Sequence, residues 1–487
     1  MKAKVEGPEQ KAARSDKIFN IGVTTFFIIL LFVFCYLAEY PLILPVFLLF
    51  LGLHLHFFKK ANFSLFINLG LLLAVIVFTT HCIIHYTTLE LLYVPVASVA
   101  MLTILLFTDL QLAFLMALAA SVLVTIIIGG DFGIMLTYFL GSLAGIYFAK
   151  GSRTRGQLIT AGLFVSAMHV ICWLLLYPDF HLIMTKEFTT TQLYPLAANG
   201  FICAFVVVAT LKVFEYIFGV VTNYSLLELS DFNQPLLKRM ILEAPGTYHH
   251  SLVVSNLAEA GADAIGANAL LTRVGAYYHD IGKMVKSEYF TENQLVGDGN
   301  VHDNIEPNMS RLVIQNHVKE GIELAKKHGL NQAIIDFIPQ HHGTGLMYFF
   351  YQKALEEAED SHMVNEEDFR YPGPKPQSRE TAITLLADSV EGATRALDDP
   401  NPTNIEETVR KIVNNKFIDG QLDECNLTLK EIDKIVLTFI RILGAMYHGR
   451  VKYPEKKSNG NNSRKSTEKN KTQPRQDQQN SQDDPSS

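Results

Sequence analysis

Histidines and aspartates that could hold metal ions lie in five short segments of the second half of the chain. These segments are Tyr248-His249-His250-Ser251, His279-Asp280-Ile281-Gly282-Lys283, His317, His341-His342-Gly343, and Leu386-Ala387-Asp388-Ser389. Imidazole and carboxylate ligands together suit Mn, Fe or Zn. The five cysteines include no Cys-x-x-Cys pair, so neither a thiolate zinc site nor a disulfide framework is indicated.

An adjacent His-Asp pair at the end of a helix can serve two ions, because the imidazole binds one ion and the carboxylate bridges both. A pair of ions about 3.5–4 Å apart can hold a hydroxide nucleophile and neutralise a phosphoryl transition state. One dipeptide is weak evidence, since His302-Asp303 is a second copy of it. The ordered set of these groups from His250 to Asp388 is much stronger, and it predicts a histidine and carboxylate cluster suited to phosphodiester hydrolysis.

The elements that position this cluster are predicted to be helices, because alternating strand patterns are scarce. Helical patterns cover Ser251–Ile265, Ala269–His279, Met309–His328, Gln332–Ile338, Thr381–Leu397 and Leu429–Tyr447. Gly329 is a predicted helix stop, and Asn331 is the predicted cap of the next helix. The proline-rich segment Tyr371–Pro376 is predicted to be a loop.

The first half of the chain predicts a membrane domain, because a membrane-spanning helix needs about 20 mostly apolar residues. Eight candidate spans are Ile18–Tyr36, Pro41–Phe58, Phe63–Ile84, Leu91–Phe107, Leu110–Ile128, Phe132–Ala149, Leu158–Tyr177 and Tyr194–Phe218. Histidines near the ends of spans are expected at the membrane interface. His169 lies inside the seventh span and is the one candidate for lining a functional cavity.

Basic residues in the loops predict the orientation, since positive charge marks the cytoplasmic side. The segment before the first span and every second loop after it are rich in basic residues. These residues are Lys2, Lys4, Lys11, Arg14, Lys17, Lys59, Lys60, Lys150, Arg153 and Arg155. Lys186 is the exception on the other side. Eight spans with the amino terminus inside therefore place the second half of the chain in the cytoplasm.

Composition agrees with this division and excludes some classes of protein. The 487 residues are 49% hydrophobic and only 18% charged, with a net charge of −7. An ordinary single-domain cytosolic enzyme and a basic protein that binds DNA or RNA polymers are both excluded. The predicted all-α organisation is a cytoplasmic amino terminus (1–17), a membrane domain (18–219), a connector (220–247), a helical phosphohydrolase domain (248–452) and a disordered tail (453–487).

Longer strings carry a resemblance to a known family. They are Glu243–Ser251, Arg273–Lys283, Tyr289–Gln294, His341–Thr344 and Arg370–Gln377. Across residues 20–452 the chain resembles the seven-transmembrane HD family, the PgpH-type cyclic di-AMP phosphodiesterases of the bacterial cytoplasmic membrane. The resemblance implies hydrolysis of cyclic di-AMP to linear 5′-pApA, with the lipid bilayer and a cyclic dinucleotide as partners; a homodimer stays open.

The family also implies two transition-metal ions, Mn or Fe, and a role for each matching residue. One ion is held by His250, His279, Asp280 and Asp388, and the other by Asp280, His317, His341 and His342. Asp280 then bridges the ions and is catalytic. Lys283 faces a substrate phosphate, although a solvated surface lysine is the alternative. Arg273 and Tyr278 are weaker candidates for substrate contact, and His249 is expected to be structural.

One feature departs from the family, and three alternatives stay open. Only Leu37–Tyr40 separate the first two spans, where relatives carry a large extracellular domain. The chain is therefore expected to be a short form without that sensor.

The alternatives are hydrolysis of another nucleotide (cyclic di-GMP or a guanosine polyphosphate), a nucleotide-binding membrane receptor without turnover, and a transporter with a regulatory domain. The Gly-Tyr-Pro signature of cyclic di-GMP-hydrolysing relatives is absent, and the acidic stretch Glu356–Asp368 is predicted to be a solvated insertion.

Overall fold

The computed structural model describes residues 63–177, 189–294, 301–358 and 364–447, together with Gly52 and Thr185. The described residues fold into helices joined by short turns and contain no strand beyond one isolated bridge between Leu346 and Arg370. The predicted all-α fold is confirmed. The first two predicted spans, Gly52 apart, and the predicted tail lie outside the described residues.

Six apolar helices form the described part of the first region. They are α1 (Phe63–Tyr86), α2 (Ala97–Phe107), α3 (Leu110–Ile127), α4 (Phe132–Ala149), α5 (Arg155–Leu176) and α6 (Tyr194–Phe218). All except α2 are long and apolar enough to cross a membrane. The span predicted over Leu91–Phe107 is interrupted: a 3-10 turn covers Leu91–Tyr93, and α2 starts only after Pro95, which cannot donate a helical hydrogen bond.

Local capping and small residues explain how these helices start and pack. The Asp109 side chain accepts hydrogen bonds from two backbone N–H groups at the start of α3. The Asp131 side chain caps α4 with one such bond, from the Ile134 N–H. A Cβ on Gly200 of α6 would overlap the Gly162 carbonyl of α5, so the two backbones touch where these glycines meet. Close approach at small residues is typical of helices packed in membranes.

The second region contains eleven described α-helices. They are α7 (Asn223–Leu229), α8 (Pro235–Glu243), α9 (Pro245–Ile265), α10 (Ala269–Tyr278), α11 (Pro307–Lys327), α12 (Gln332–Ile335), α13 (Phe337–Gln340), α14 (Tyr348–Glu357), α15 (Arg379–Arg395), α16 (Pro402–Ile418) and α17 (Leu429–Tyr447). A 3-10 segment, Ile281–Tyr289, follows α10 after one turn. The stretch predicted to be a connector forms α7 and α8, whose apolar side chains share a core with α10 and the 3-10 segment.

Several helix limits differ from the prediction. The helix predicted from Ser251 is α9, which starts at Pro245 because proline is well suited to the first helical position. It therefore includes the His249-His250 pair. The helix predicted over Gln332–Ile338 is two short helices separated at Asp336. The α14 and α16 helices were not predicted. Gly329 has a positive φ of 68°, and the Asn331 side chain caps α12, as the sequence predicts.

Candidate metal centre

The seven predicted ligands come from five helical elements and meet in one place. His250 lies on α9, and His279 and Asp280 follow the last turn of α10. His317 lies on α11. His341 and His342 follow α13, and Asp388 lies on α15. The structure thus brings together residues that are far apart in the sequence.

These side chains form two groups whose nitrogen and oxygen atoms could each hold an ion. One group is Asp280, His317, His341 and His342, and the other is His250, His279 and Asp388. Within each group the candidate ligand atoms all lie within 4.8 Å of one another.

Asp280 lies between the two groups. Its Oδ1 is 3.5 Å from His317 Nε2 and 3.4 Å from His341 Nε2. Its Oδ2 is 3.2 Å from His279 Nε2 and 3.6 Å from His250 Nε2. Each oxygen therefore faces a different group, which is the arrangement that a bridging carboxylate needs.

Backbone carbonyl groups orient three of the imidazoles. Nδ1 of His279 and Nδ1 of His341 each lie 2.7 Å from the carbonyl oxygen three residues earlier. Nδ1 of His317 contacts the Ile314 carbonyl in the same way. Because Nδ1 donates its hydrogen to the carbonyl, Nε2 is left with a free lone pair that faces the cluster.

Buried atoms in this cluster lack hydrogen-bond partners. They are Nε2 of His279, His317 and His341 and Oδ1 of Asp280. Burying polar groups without partners is unfavourable, so convergent acceptors of this kind need a cation. The donors are imidazole nitrogens and carboxylate oxygens, which suit Mn, Fe or Zn. The residues present therefore fit a pair of divalent transition-metal ions.

Electrostatics inside the cluster keep the carboxylates charged. Burial alone would raise the pKa of Asp280, but the neighbouring His279 and Lys283 lower it well below its usual range. Burial lowers the pKa of His317 to about 3, so its imidazole is neutral. Burial also lowers the pKa of His279, but Asp280 and Asp388 together raise it to about 10.

Lys283 is not a solvated surface lysine. Its side chain is only 13% exposed, and its ammonium lies 2.7 Å from Asp280 Oδ2 and 3.0 Å from Glu292 Oε1. Burial lowers the pKa of Lys283, but Asp280 and Glu292 raise it above its usual value, so the amine stays protonated. Glu292 was not predicted as a member of the site.

Glu391 is a second residue that the sequence analysis missed. Its buried carboxylate lies 2.6 Å from Nδ1 of His250, whose Nε2 is 3.0 Å from Asp388 Oδ1. A carboxylate behind a ligating histidine fixes the ring and raises its basicity. The signal was present in the sequence, because Asp388 and Glu391 are three residues apart on a predicted helix and therefore share a face.

Gly282 explains how the His-Asp turn reaches α11. A Cβ on Gly282 would overlap the His317 carbonyl oxygen and crowd the Gly321 backbone nitrogen. Only glycine lets the backbone after Asp280 approach the helix that carries His317.

A cleft of about 360 Å³ opens over the cluster. Its lining includes the candidate ligands His250, His342 and Asp388, the cations Lys283, Arg395 and Lys416, and the aromatic residues Tyr348, Phe349, Phe350 and Tyr371. Tyr348 and Phe349 are 66% and 60% exposed, whereas the Tyr371 ring stacks on the His342 ring with centroids 4.1 Å apart. The cleft therefore combines a charged floor with an exposed aromatic rim.

Other candidates lie away from the cleft lining. Arg273 pairs with Glu259, with Nη1 3.1 Å from Oε1. Tyr278 is buried, and its hydroxyl donates to the Leu229 carbonyl, so it joins α10 to α7. His249 is exposed. His302, from the second His-Asp dipeptide, contacts the Tyr289 carbonyl instead of the cluster.

His169 occupies a tight position in the described membrane helices. Its side chain is fully buried, and its ring packs edge-on against Tyr138. A Cβ on Gly141 would overlap the imidazole. His169 therefore packs tightly against a neighbouring helix.

Two family models match the chain in the same order as its two regions. Residues 19–222 match the family described as 7TM receptor with intracellular HD hydrolase. Residues 247–393 match the HD domain. The apolar helices and the first match together show a multi-pass membrane protein.

Curated relatives agree with these matches. The cyclic-di-AMP phosphodiesterase PgpH of Bacillus subtilis is 38% identical over 84% of this chain and 59% of its own length. The cyclic-di-AMP phosphodiesterase PgpH of Listeria monocytogenes is 42% identical over 67% of this chain and 45% of its own length. The chain therefore spans only about half the length of these relatives.

One solved structure matches part of this chain. The crystal structure of the L. monocytogenes PgpH HD domain in complex with cyclic di-AMP is 50% identical to this chain. The match covers 45% of this chain and all of that one, with a TM-score of 0.43.

Proposed function

Because residues 19–222 match the family described as 7TM receptor with intracellular HD hydrolase and residues 247–393 match the HD domain, we propose that the chain is a membrane-anchored phosphodiesterase that hydrolyses cyclic di-AMP to 5′-pApA. One observation carries this proposal: seven histidine and aspartate side chains meet in two groups around Asp280 at the floor of a cleft. The names of the relatives support the choice of cyclic di-AMP as substrate.

We assign metal ligation to the two groups as the geometry divides them. His250, His279 and Asp388 would hold one ion, His317, His341 and His342 would hold the other, and Asp280, which lies between the two groups, would serve both. Two divalent ions, when bound, supply charge that acidifies water and stabilises a phosphoryl transition state. Mn and Fe are the proposed metals, because the imidazole and carboxylate ligands suit Mn, Fe or Zn and the family resemblance implies Mn or Fe among these.

The protein's own residues then position and stabilise the reacting phosphodiester. Lys283 lies at the cleft floor beside Asp280 and can donate to a non-bridging phosphate oxygen, which stabilises charge that develops during the reaction. Glu292 holds the ammonium on its other side. The exposed rings of Tyr348 and Phe349 offer stacking surfaces for bases at the rim.

The contact between the two regions supports a cytoplasmic site. The loop between α4 and α5 carries Lys150, Arg153 and Arg155, and positive loops face the cytoplasm. In this loop, the Thr154 carbonyl accepts a hydrogen bond from the Tyr224 hydroxyl of α7, 3.1 Å away. The catalytic region therefore lies on the side of the basic loop, and we propose that this side is the cytoplasm.

The test uses the full-length chain in detergent, loaded with Mn²⁺ or Fe²⁺, with cyclic di-AMP and cyclic di-GMP followed by chromatography. We expect cyclic di-AMP to give 5′-pApA, and we expect Asp280→Ala to abolish turnover. Asp303→Ala is the matched control, because Asp303 belongs to the other His-Asp dipeptide and is exposed.

Three outcomes would contradict the proposal in different ways. Residual wild-type turnover in Asp280→Ala would overturn the bridging assignment. Faster hydrolysis of cyclic di-GMP would replace the substrate. Bound metal without turnover of either compound would favour a nucleotide-binding receptor.

A further inference from the structure

Three cations line the cleft, and two of them already have carboxylate partners. Lys283 is held by Asp280 and Glu292. Arg395 lies 3.5 Å from Glu391, the residue that orients His250. Lys416 is the third cation, and it forms no ion pair or hydrogen bond through its ammonium with any residue that the structure describes.

Lys416 lies next to the loop that carries the candidate ligands His341 and His342. Lys416 lies in the last turn of α16. A Cβ on Gly345 would be 3.2 Å from its ammonium nitrogen, so the charge lies directly beside the turn that begins with His341 and His342. Gly345 N donates to the His342 carbonyl over 3.0 Å, which closes that turn.

A buried glutamine joins this turn to the end of α16. Gln421 accepts a hydrogen bond from Thr344 N at 2.8 Å, and its own backbone N–H donates to the Lys416 carbonyl at 3.0 Å. Lys416 is therefore attached to the metal centre through a short, hydrogen-bonded path rather than through a free loop.

Asp419 is the carboxylate nearest to Lys416 in the sequence, but it pairs with other residues. Asp419 receives two hydrogen bonds from Arg370, at 2.9 and 3.2 Å, and a third from the Gln421 amide at 2.9 Å. An ammonium left without a close counter-ion in a partly buried cleft favours an anionic ligand.

The substrate class supplies such an anion. A cyclic dinucleotide contains two phosphodiesters, and only one of them can occupy the reacting position over the metal centre. We propose that Lys416 binds the second, non-reacting phosphodiester of the substrate. The inference rests on the proposed function, because it assumes a substrate with two phosphates in the same cleft.

The test compares wild-type full-length protein with Lys416→Gln and Lys416→Arg, loaded with Mn²⁺ in detergent. For cyclic di-AMP we expect Lys416→Gln to raise KM roughly tenfold or more, with a much smaller change in kcat. Lys416→Arg should recover most of the affinity, because it restores the charge.

A second substrate separates phosphate binding from structural damage. Bis(p-nitrophenyl) phosphate contains one phosphodiester, so the loss of kcat/KM in Lys416→Gln should be much smaller for it than for cyclic di-AMP. Lys411→Gln is the matched control, because Lys411 is an exposed lysine on the same helix that lines a different surface groove.

The failures are distinguishable. An unchanged KM for cyclic di-AMP in Lys416→Gln, or equal losses on both substrates, would overturn the role of Lys416 and leave the phosphodiesterase intact. An equal effect of Lys411→Gln would attribute the change to general surface charge and would also overturn that role. A wild-type protein that neither binds nor hydrolyses cyclic di-AMP would overturn the proposed function and this inference together.

Discussion

The membrane helices and the second region differ in how their buried polar side chains find hydrogen-bond partners. In the membrane helices most of them find a partner nearby: the Asn199 amide donates to the Leu92 and Val94 carbonyls, each at 2.8 Å. The hydroxyls of Thr80 and Ser142 donate to the carbonyl one turn earlier. The second region also has scattered unpartnered atoms, such as Ser310 Oγ, but there the unpartnered Nε2 atoms of His279, His317 and His341 converge on Asp280 from several elements.

The difference distinguishes structural polar groups from functional ones. Ser121, Thr125 and His169 also contain buried polar atoms without partners, but no described metal-binding group includes them. One unsatisfied side chain destabilises a helix packing, whereas several that point at one carboxylate make a binding site for cations. Burial of polar residues is therefore informative only together with their convergence.

Removal of one convergent ligand should have the largest effect. For His317→Ala we expect loss of one of two bound ions per chain and a fall in turnover of roughly a thousandfold or more, because residues that act as a unit fail together. Metal analysis by mass spectrometry and a turnover assay measure both. His328→Ala, on an exposed residue just after the same helix, should retain both ions. Full metal content in His317→Ala would show that convergence does not imply ligation.

Removal of the support behind a ligand should have a smaller effect. Glu391→Gln keeps the shape but weakens the contact to His250 Nδ1, so metal affinity or activity should fall roughly 10- to 100-fold. A titration of the metal-free protein with Mn²⁺ measures this change. Glu407→Gln, on the exposed surface of α16, is the control. Equal affinities would mean that the buried carboxylate does not orient the ring.

A side chain added at Gly282 tests whether the site depends on the close contact between the backbone after Asp280 and α11. For Gly282→Ala we expect a loss of about 1–3 kcal/mol of stability, because the new methyl group would overlap the His317 carbonyl oxygen. Thermal unfolding of the catalytic region, followed together with turnover, would show both consequences. Gly444→Ala on α17 has open space and should be neutral or slightly stabilising. Similar midpoints for the two variants would contradict the close approach of α11.

The smallest effect is expected in the membrane helices. Asn199→Ala should destabilise them by about 1 kcal/mol, because hydrogen bonds between membrane helices contribute modestly. His169→Leu removes a group that has no hydrogen bond, so its unfolding midpoint should be equal or higher. Unfolding in detergent, with turnover measured on the folded fraction, tests both variants. A loss of turnover in His169→Leu would move a functional role into the membrane domain.

Most of the fold was predictable because it depends on local patterns. Apolar runs predicted α4 and α6 with their observed limits, and the periodicity of Leu429–Tyr447 predicted α17 in the same way. Prediction failed where a proline or a weak apolar pattern decided the outcome. Pro95 shortened a predicted span, Pro245 extended α9, and the polar surface of α16 obscured its periodicity.

The candidate site also has features that the sequence predicts and features that only the tertiary structure shows. The sequence determined which residue types occur and in what order, and the family strings made the HD family recognisable, which the family models confirm. Only the tertiary structure decided which oxygen of Asp280 faces which histidines, that Glu391 lies behind His250, and that Lys416 reaches the cleft without an ion pair to any described residue. The physical reason is distance along the chain: spacing determines which residues share a helix face, whereas contacts between α9, α11, α15 and α16 depend on how separate helices pack.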